Sequence, residues 1–257
     1  MILVALVATL GACSKDYGTA ETHAYAIIAP YHAIEISNDF DVVMSETDSV
    51  ASVTLPEGLW NRLVFSVEDG TLKIGLVDRP LSFYGDYEAR VVLPQVTQID
   101  AVDISGASSF TSSQTLQASN IAIILSGASV FKCPVEAART ILTLSGASIF
   151  RGTVAARSLD AELSGSSYAN LSGTASLMTI DVSGGSEVDA PTFNASRLTG
   201  EMSGGSTVDV NVCESVTVDL SGGSMLTYGL SDDSCNPTIN CTTSGSSVVK
   251  PRRTGRQ

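Results

Sequence analysis

The chain has 257 residues, 44% of them hydrophobic and 16% charged, with a formal net charge of −13. That length and apolar content suffice for a full core in one domain. The acidic balance argues against nucleic acid or anionic lipid surfaces as partners, because phosphate binding needs clustered cations. The imbalance is sharpest over residues 160–233, where eleven Asp and Glu face a single base, Arg197.

Residues 1–12 are apolar and too short to span a bilayer as an ordinary helix. They end in Leu10-Gly11-Ala12-Cys13. Small residues before a cysteine resemble the bacterial lipoprotein signal, in which Cys13 becomes the lipidated first residue of the mature chain and its anchor in the membrane. No Lys or Arg precedes the apolar run, so the charged start of such a signal is missing. A buried N-terminal strand is the alternative. Residues 13–30 then read as a tether. Residues 31–100 are strand-like, with apolar or alternating stretches at 34–36, 40–44, 50–55, 63–67, 72–76 and 89–93. Glu68-Asp69-Gly70 is a turn signal, and 56–63 is the one stretch that suits a short helical turn. This region is expected to start and cap the architecture that follows.

From residue 101 to 250 a Ser-Gly-(Ala/Gly/Ser)-Ser tetrad recurs eight times, at Ser105, Ser126, Ser145, Ser164, Ser183, Ser203, Ser221 and Ser244. The spacings run from 18 to 23 residues. A period near 20 marks stacked small units, each burying its apolar face against its neighbours. One and three residues before the serine stand mostly apolar residues, such as Leu125 and Ile123 or Leu144 and Leu142. Between them the residue is mostly polar. That period of two over five or six positions is a half-buried strand, and helical spacing would scatter it. After the serine, the small pair turns the chain. Five residues past it a second inward row carries Phe110, Phe131 and Phe150, expected to stack face to edge. A less regular apolar patch (Leu116, Val135, Val154, Leu171, Phe193, Val212) closes each unit. The predicted fold is all-β, a single-stranded parallel β-solenoid (β-helix) with rungs of about 20 residues, eight of which make a rod of roughly 40 Å. A sandwich also has evenly spaced strands, but hairpins do not require the same residue at the same offset in eight consecutive units.

The spacing puts Cys213 and Cys235 eight and nine residues before the next tetrad, so they are expected on neighbouring rungs at a distance that accepts a disulfide. Cys133 and Cys241 read as buried thiols, and no cysteine has metal-ligand spacing. Ser231 to Ser234 is a loop bulging from one rung, and 251–257 is a solvated basic tail.

The most suggestive cluster is an acidic row. Glu162, Asp181, Glu201 and Asp219 share one outward offset in four consecutive rungs and are the candidate ligand or cation face. Stacked carboxylates supply some of the oxygens calcium takes, but the Gly-Gly-x-Gly-x-Asp calcium pattern is absent. A solvated face that keeps the rod soluble accounts for the same row. The tetrad serines suit either hydroxyl ladders or corner geometry with local side-chain to backbone bonds. Catalysis has little support: His23 and His32 lie outside the repeats and no nucleophile elbow is present. Neither a catalytic residue, a metal site nor a cofactor is expected.

The strand Phe40-Asp41-Val42-Val43-Met44, the turn in Val67-Glu68-Asp69-Gly70-Thr71-Leu72-Lys73-Ile74 and the repeats opening with Asp103-Ile104-Ser105-Gly106-Ala107-Ser108 resemble the DUF2807 family. That family is described as the "putative autotransporter adhesin, head GIN domain". The resemblance spans roughly residues 31–250 and implies an exported bacterial protein of β-helical fold, with no catalytic residues to carry over. Together these readings give an expectation: a lipid-anchored envelope solenoid, outer-membrane in type, that binds a glycan or surface protein. A structural or self-assembling envelope protein is the alternative, and a glycan-active enzyme is a remoter one.

Overall fold

The computed structural model describes residues 17–27, 29–77, 87–96 and 98–252. Cys13, residues 1–12 and residues 253–257 lie outside the described residues. The N-terminal part holds β1 (Ala20–Tyr25), β2 (Ala33–Ile36), β3 (Asp41–Ser45), β4 (Ala51–Pro56), β5 (Leu63–Glu68), β6 (Thr71–Leu76) and β7 (Arg90–Pro94). A 3-10 helix at Glu57–Arg62 joins β4 to β5. The repeats begin with β8 (Ala101–Ile104), β9 (Ser109–Ser112), β10 (Leu116–Leu125), β11 (Val130–Lys132) and β12 (Val135–Leu144). They continue through β13 (Ile149–Leu163), β14 (Tyr168–Val182), β15 (Glu187–Met202) and β16 (Thr207–Leu220). The last rungs are β17 (Met225–Gly229), β18 (Thr238–Ile239), β19 (Thr242–Thr243) and β20 (Val248–Pro251).

From β8 to β20 every pairing between successive rungs is parallel, and equal offsets from the tetrad serine stand over each other except at register shifts between Asn170 and Ser172 and between Ala190 and Arg197. The result is a β-solenoid of about eight turns. In β13 to β16 the strand is continuous from one tetrad to the next, so the tetrad is the main break in each rung. The sequence pattern suggests a looser return there. The inward side changes parity within the strand instead, as between buried Val154 and buried Leu159.

The tetrad chemistry explains the corner. Its glycine has φ between +65° and +76° in all eight copies, a left-handed conformation that L side chains avoid. The second serine is buried in seven of the eight copies, and the hydroxyls of Ser129, Ser148, Ser167 and Ser224 donate back to the carbonyl of the first, as in Ser148 Oγ to Ser145 O at 2.9 Å and Ser167 Oγ to Ser164 O at 2.7 Å. A polar group can therefore sit in the core at these rungs with its hydrogen bond satisfied, whereas the Ser247 hydroxyl on the last rung has no partner among the described residues. Backbone bonds also run rung to rung through the corner, such as Gly185 N–H to Gly165 O at 2.8 Å.

Inside, Phe110, Phe131 and Phe150 are fully buried. Their rings stack nearly parallel, at 18° and 9° with centroids 5.5 and 5.3 Å apart, and not face to edge as expected. In-register parallel strands repeat each side chain by one translation, so identical residues in one rotamer must lie parallel. The centroid offset beyond the strand spacing of about 4.8 Å keeps the rings from a direct sandwich.

The N-terminal end departs from simple sequence order. β2 lies between β6 and β8, and β3 between β7 and β9, all parallel. The first rung in sequence is thus the second in space, inserted above a rung that the chain makes later. Ser37-Asn38-Asp39-Phe40 replaces the tetrad there, with Asn38 and Asp39 both at φ +67°. Asn and Asp tolerate that region better than other non-glycine residues. Antiparallel strands then close the end: β5 on β6, β4 on β7 and β1 on β4. Asp69 (φ +49°) and Gly70 (φ +75°) form the two-residue turn between β5 and β6.

Two expected boundaries shift. Part of the supposed tether, 13–30, is β1: it pairs along the open edge of β4, and His23 stacks on Trp60 with ring centroids 4.1 Å apart. Its polar, exposed residues carry no inward pattern that sequence could show. At the other end, two residues of the supposed tail, 251–257, belong to the fold. Pro251 ends β20, and the Arg252 Nε donates to both Asp209 carboxylate oxygens at 3.0 and 3.2 Å.

Candidate functional site: an acidic face beside a hydroxyl row

The strand that precedes each tetrad places one outward row in register. It runs Lys73, Glu35, Asp103, Ile124, Thr143, Glu162, Asp181, Glu201, Asp219, Thr242. The four candidate carboxylates, Glu162, Asp181, Glu201 and Asp219, are therefore direct neighbours on consecutive rungs, and all are exposed. Their spacing is the rung spacing of about 4.8 Å. At that distance two unit charges repel by about 1 kcal/mol in a water-like medium, which solvation and salt readily absorb. Among the described residues Asp219 alone in this run has a side-chain hydrogen-bond partner, the Thr242 hydroxyl on the last rung, which donates to it. A shallow depression of about 270 Å3 lies between the acids and the tetrad corner, lined by Asp181, Glu201, Asp219, Ser221 and Thr242 among others.

A second row was missed by the sequence reading. Thr179, Thr199 and Thr217 stand in register two residues before Asp181, Glu201 and Asp219. The face is thus a flat lattice of carboxylates beside hydroxyls. Extending the tetrad alignment one more outward position would have found it.

The acidic row has a counterpart near the cap. Asp103 lies beside Glu35, whose other neighbour is Lys73. Partial desolvation, and then the Glu35 charge, raise the Asp103 pKa above its ordinary value. Lys73 bonds Glu68 at 2.8 Å, which holds Glu68 below the usual carboxylate range.

Neither histidine joins these rows. His23 stacks on Trp60 at the cap and lies 3.4 Å from Glu21; His32 lies 3.5 Å from Asp100. Cys133 is buried, and burial pushes its thiol up to about 11, so it is no ready nucleophile. Cys213 and Cys235 form a disulfide with Cα atoms 4.6 Å apart. Asp232 lies close to both sulfurs, but bonded sulfurs offer no thiolate to a metal. Cys241 is only half-buried, not buried as expected, because it sits on the last described rung with a neighbour on one side.

Residues 30–229 match the family model of DUF2807, described as "Putative auto-transporter adhesin, head GIN domain". The chain belongs to that family. Solved structures share the fold of this DUF2807 domain. A "putative adhesin" from Parabacteroides merdae ATCC 43184 superposes with a TM-score of 0.77 at 15% identity, covering 92% of this chain and 97% of that one. A second, from Parabacteroides distasonis ATCC 8503, has a TM-score of 0.77 at 16% identity, with 91% and 98% covered. A "putative lipid binding protein" from the same strain has a TM-score of 0.73 at 20% identity, with 92% and 98% covered. No curated protein matches the sequence.

Proposed function

We propose that this DUF2807 chain is an exported, lipid-anchored envelope protein that works as a non-catalytic, adhesin-like binding module. The observation that carries the reading is the lattice of Glu162, Asp181, Glu201 and Asp219 beside Thr179, Thr199 and Thr217. Rigid strands hold acceptors and donors at fixed intervals, which suits a repeating, hydroxyl-rich ligand such as a glycan or a glycosylated surface protein. Calcium bridging carboxylates to sugar hydroxyls would serve the same geometry. Export is supported by the family description and by the sequence around Cys13, and anchoring by the latter alone. The Cys213–Cys235 disulfide fits an oxidising compartment.

One structural neighbour is named for lipid binding. The apolar cavity at the cap of this chain, lined by Ile27, Phe65, Val67 and Leu72 among others, holds about 240 Å3. Its lining is apolar apart from Ser66 and offers few polar groups to fix a ligand's orientation, so the acidic face is the stronger candidate.

The test is an array of glycans and matrix proteins probed with calcium and with chelator. A saturable signal that is lost in Asp181→Asn/Glu201→Gln/Asp219→Asn supports the reading. A folded protein without signal in either condition removes the acidic face as a binding site.

A further inference from the structure

The strand after each tetrad presents a different outward row. In register it runs Val43, Thr111, Lys132, Arg151, Asn170, Asp189, Asp209, Thr227, Lys250. Two cations, one amide and two carboxylates therefore occupy five consecutive rungs. Lys132 and Arg151 are exposed, and neither has an ion-pair partner among the described residues. Asp189 is held in place by the Tyr168 hydroxyl and the Asn170 amide, each at 2.9 Å. Asp209 carries Arg252, so it offers the weaker attraction of the two.

The stretch from Thr111 to Thr227 is complementary to its own reverse, whereas the flanking Val43 and Lys250 add no pair. We propose that this face is a self-association surface on which a second copy of the chain packs side by side, with the two rods antiparallel. A two-fold axis along the strands at Asn170 sets Arg151 over Asp189 of the second copy and Lys132 over Asp209, and both pairs recur across the axis. Thr111 meets Thr227, and Asn170 meets its own copy. The second row of the strip runs Val130, Ile149, Tyr168, Glu187, Thr207, so Tyr168 lies at the axis, where an aromatic contributes most, and Ile149 faces Glu187 of the second copy. Parallel rods in register would instead stack like charge on like charge. The antiparallel arrangement is isologous, so it closes as a dimer and does not grow into a filament. The acidic row before the tetrad has no such order, since Glu162, Asp181, Glu201 and Asp219 lack facing cations in any reversal about their own centre.

The magnitude limits the affinity. Six rung steps from Thr111 to Thr227 span about 29 Å, and two outward rows give a strip on the order of 400 Å2 per partner. Stable interfaces bury about 800 Å2 per partner. The dimer is therefore weak, populated at micromolar or higher concentration, and sensitive to salt, because screening at 0.5 M shrinks the range of these attractions to a few ångströms.

Sedimentation velocity of the whole chain carrying Cys13→Ser, over a concentration series at 50 and 500 mM NaCl, tests this. The expected result is a dimer at low salt whose dissociation constant rises at least about tenfold at high salt. Arg151→Glu and Asp189→Lys should each be monomeric, and an equimolar mixture should dimerise again, since both contacts of the mixed pair become attractive. Asn170→Cys, treated with a short bis-maleimide, should bridge to its own copy, whereas Thr111→Cys should not. A wild-type monomer at every concentration and salt would overturn the proposal. So would a dimer indifferent to Arg151→Glu, or variants that the mixture fails to restore. If Asp189→Lys does not fold, failure of Asn170→Cys to bridge decides against it.

Discussion

Gly184 stands over Gly165 so closely that a Cβ built on Gly184 would lie 2.5 Å from the Gly165 carbonyl oxygen. Gly184 also has φ +72°. Two separate costs thus fall on any side chain at this position, the left-handed backbone and a backbone collision with the rung below. Gly184→Ala is expected to destabilise by about 2–4 kcal/mol, the first 1–2 from the left-handed region alone. Its neighbour is the control. A Cβ on Gly185 meets nothing nearer than 3.8 Å, and the equivalent position is alanine or serine in five other rungs. Gly185→Ala should stay within about 0.5 kcal/mol of wild type. Urea denaturation of the two variants measures the contrast, and equal midpoints would refute the account of the corner.

Phe131 is sandwiched between Phe110 and Phe150, with both rings within 5.5 Å of it. Phe131→Ala should cost about 3–5 kcal/mol, since neighbours locked in a parallel ladder collapse poorly into the space left. Phe150→Ala loses one ring contact where Phe131→Ala loses two, so it should cost less by about 0.5–1.5 kcal/mol. Chemical denaturation of the two variants gives both values. Equal losses would mean that burial alone, not stacking, sets the contribution.

The rung, its inward rows and the acidic offset follow from periodicity, because in-register stacking demands the same chemistry at the same offset. Ring orientation does not follow from it: that Phe110, Phe131 and Phe150 are aligned shows in the sequence, but their near-parallel tilt is set by the translation between rungs. The insertion of β2 between β6 and β8 was not legible either. Ser37-Asn38-Asp39-Phe40 replaces the tetrad with other residues of similar backbone tolerance, and long-range strand order leaves no local mark. The hydroxyl row of Thr179, Thr199 and Thr217 was legible and overlooked. β1 was not, since an exposed strand pairing through its backbone needs no apolar pattern.

The Cys213–Cys235 bond joins residues 22 apart in sequence and staples the loop at 231–234 to the rung below. In the chain-entropy model a loop of this size contributes about 3 kcal/mol. Cys213→Ser/Cys235→Ser should lower stability by roughly that amount, with the loss concentrated in the last rungs because a solenoid couples mainly to nearest neighbours. Hydrogen exchange would show faster opening of β17 to β20 and little change at the cap. Uniform acceleration along the rod would contradict nearest-neighbour coupling.

Asp103 and Glu35 are adjacent carboxylates on neighbouring strands, and Asp103 has a raised pKa from partial desolvation first and the Glu35 charge second. A folded-state pKa above the unfolded value means that the folded protein binds this proton more tightly. Asp103 therefore opposes folding when ionised: its penalty is absent below the unfolded pKa and fully present once pH exceeds the raised folded value. Asp103→Asn removes the charge at all pH values. It should stabilise the protein at pH 7 by on the order of a few tenths of a kcal/mol, discounted because the side chain is exposed and screened. The gain should vanish as pH falls through the carboxylate range, where wild-type Asp103 is already neutral. Thermal or urea unfolding of both proteins from pH 3 to pH 8 tests the sign. A variant less stable than wild type at pH 7 but equal to it at pH 3 would mean that the Asp103 charge is compensated, and that the row beside Lys73 is stabilised by attraction instead.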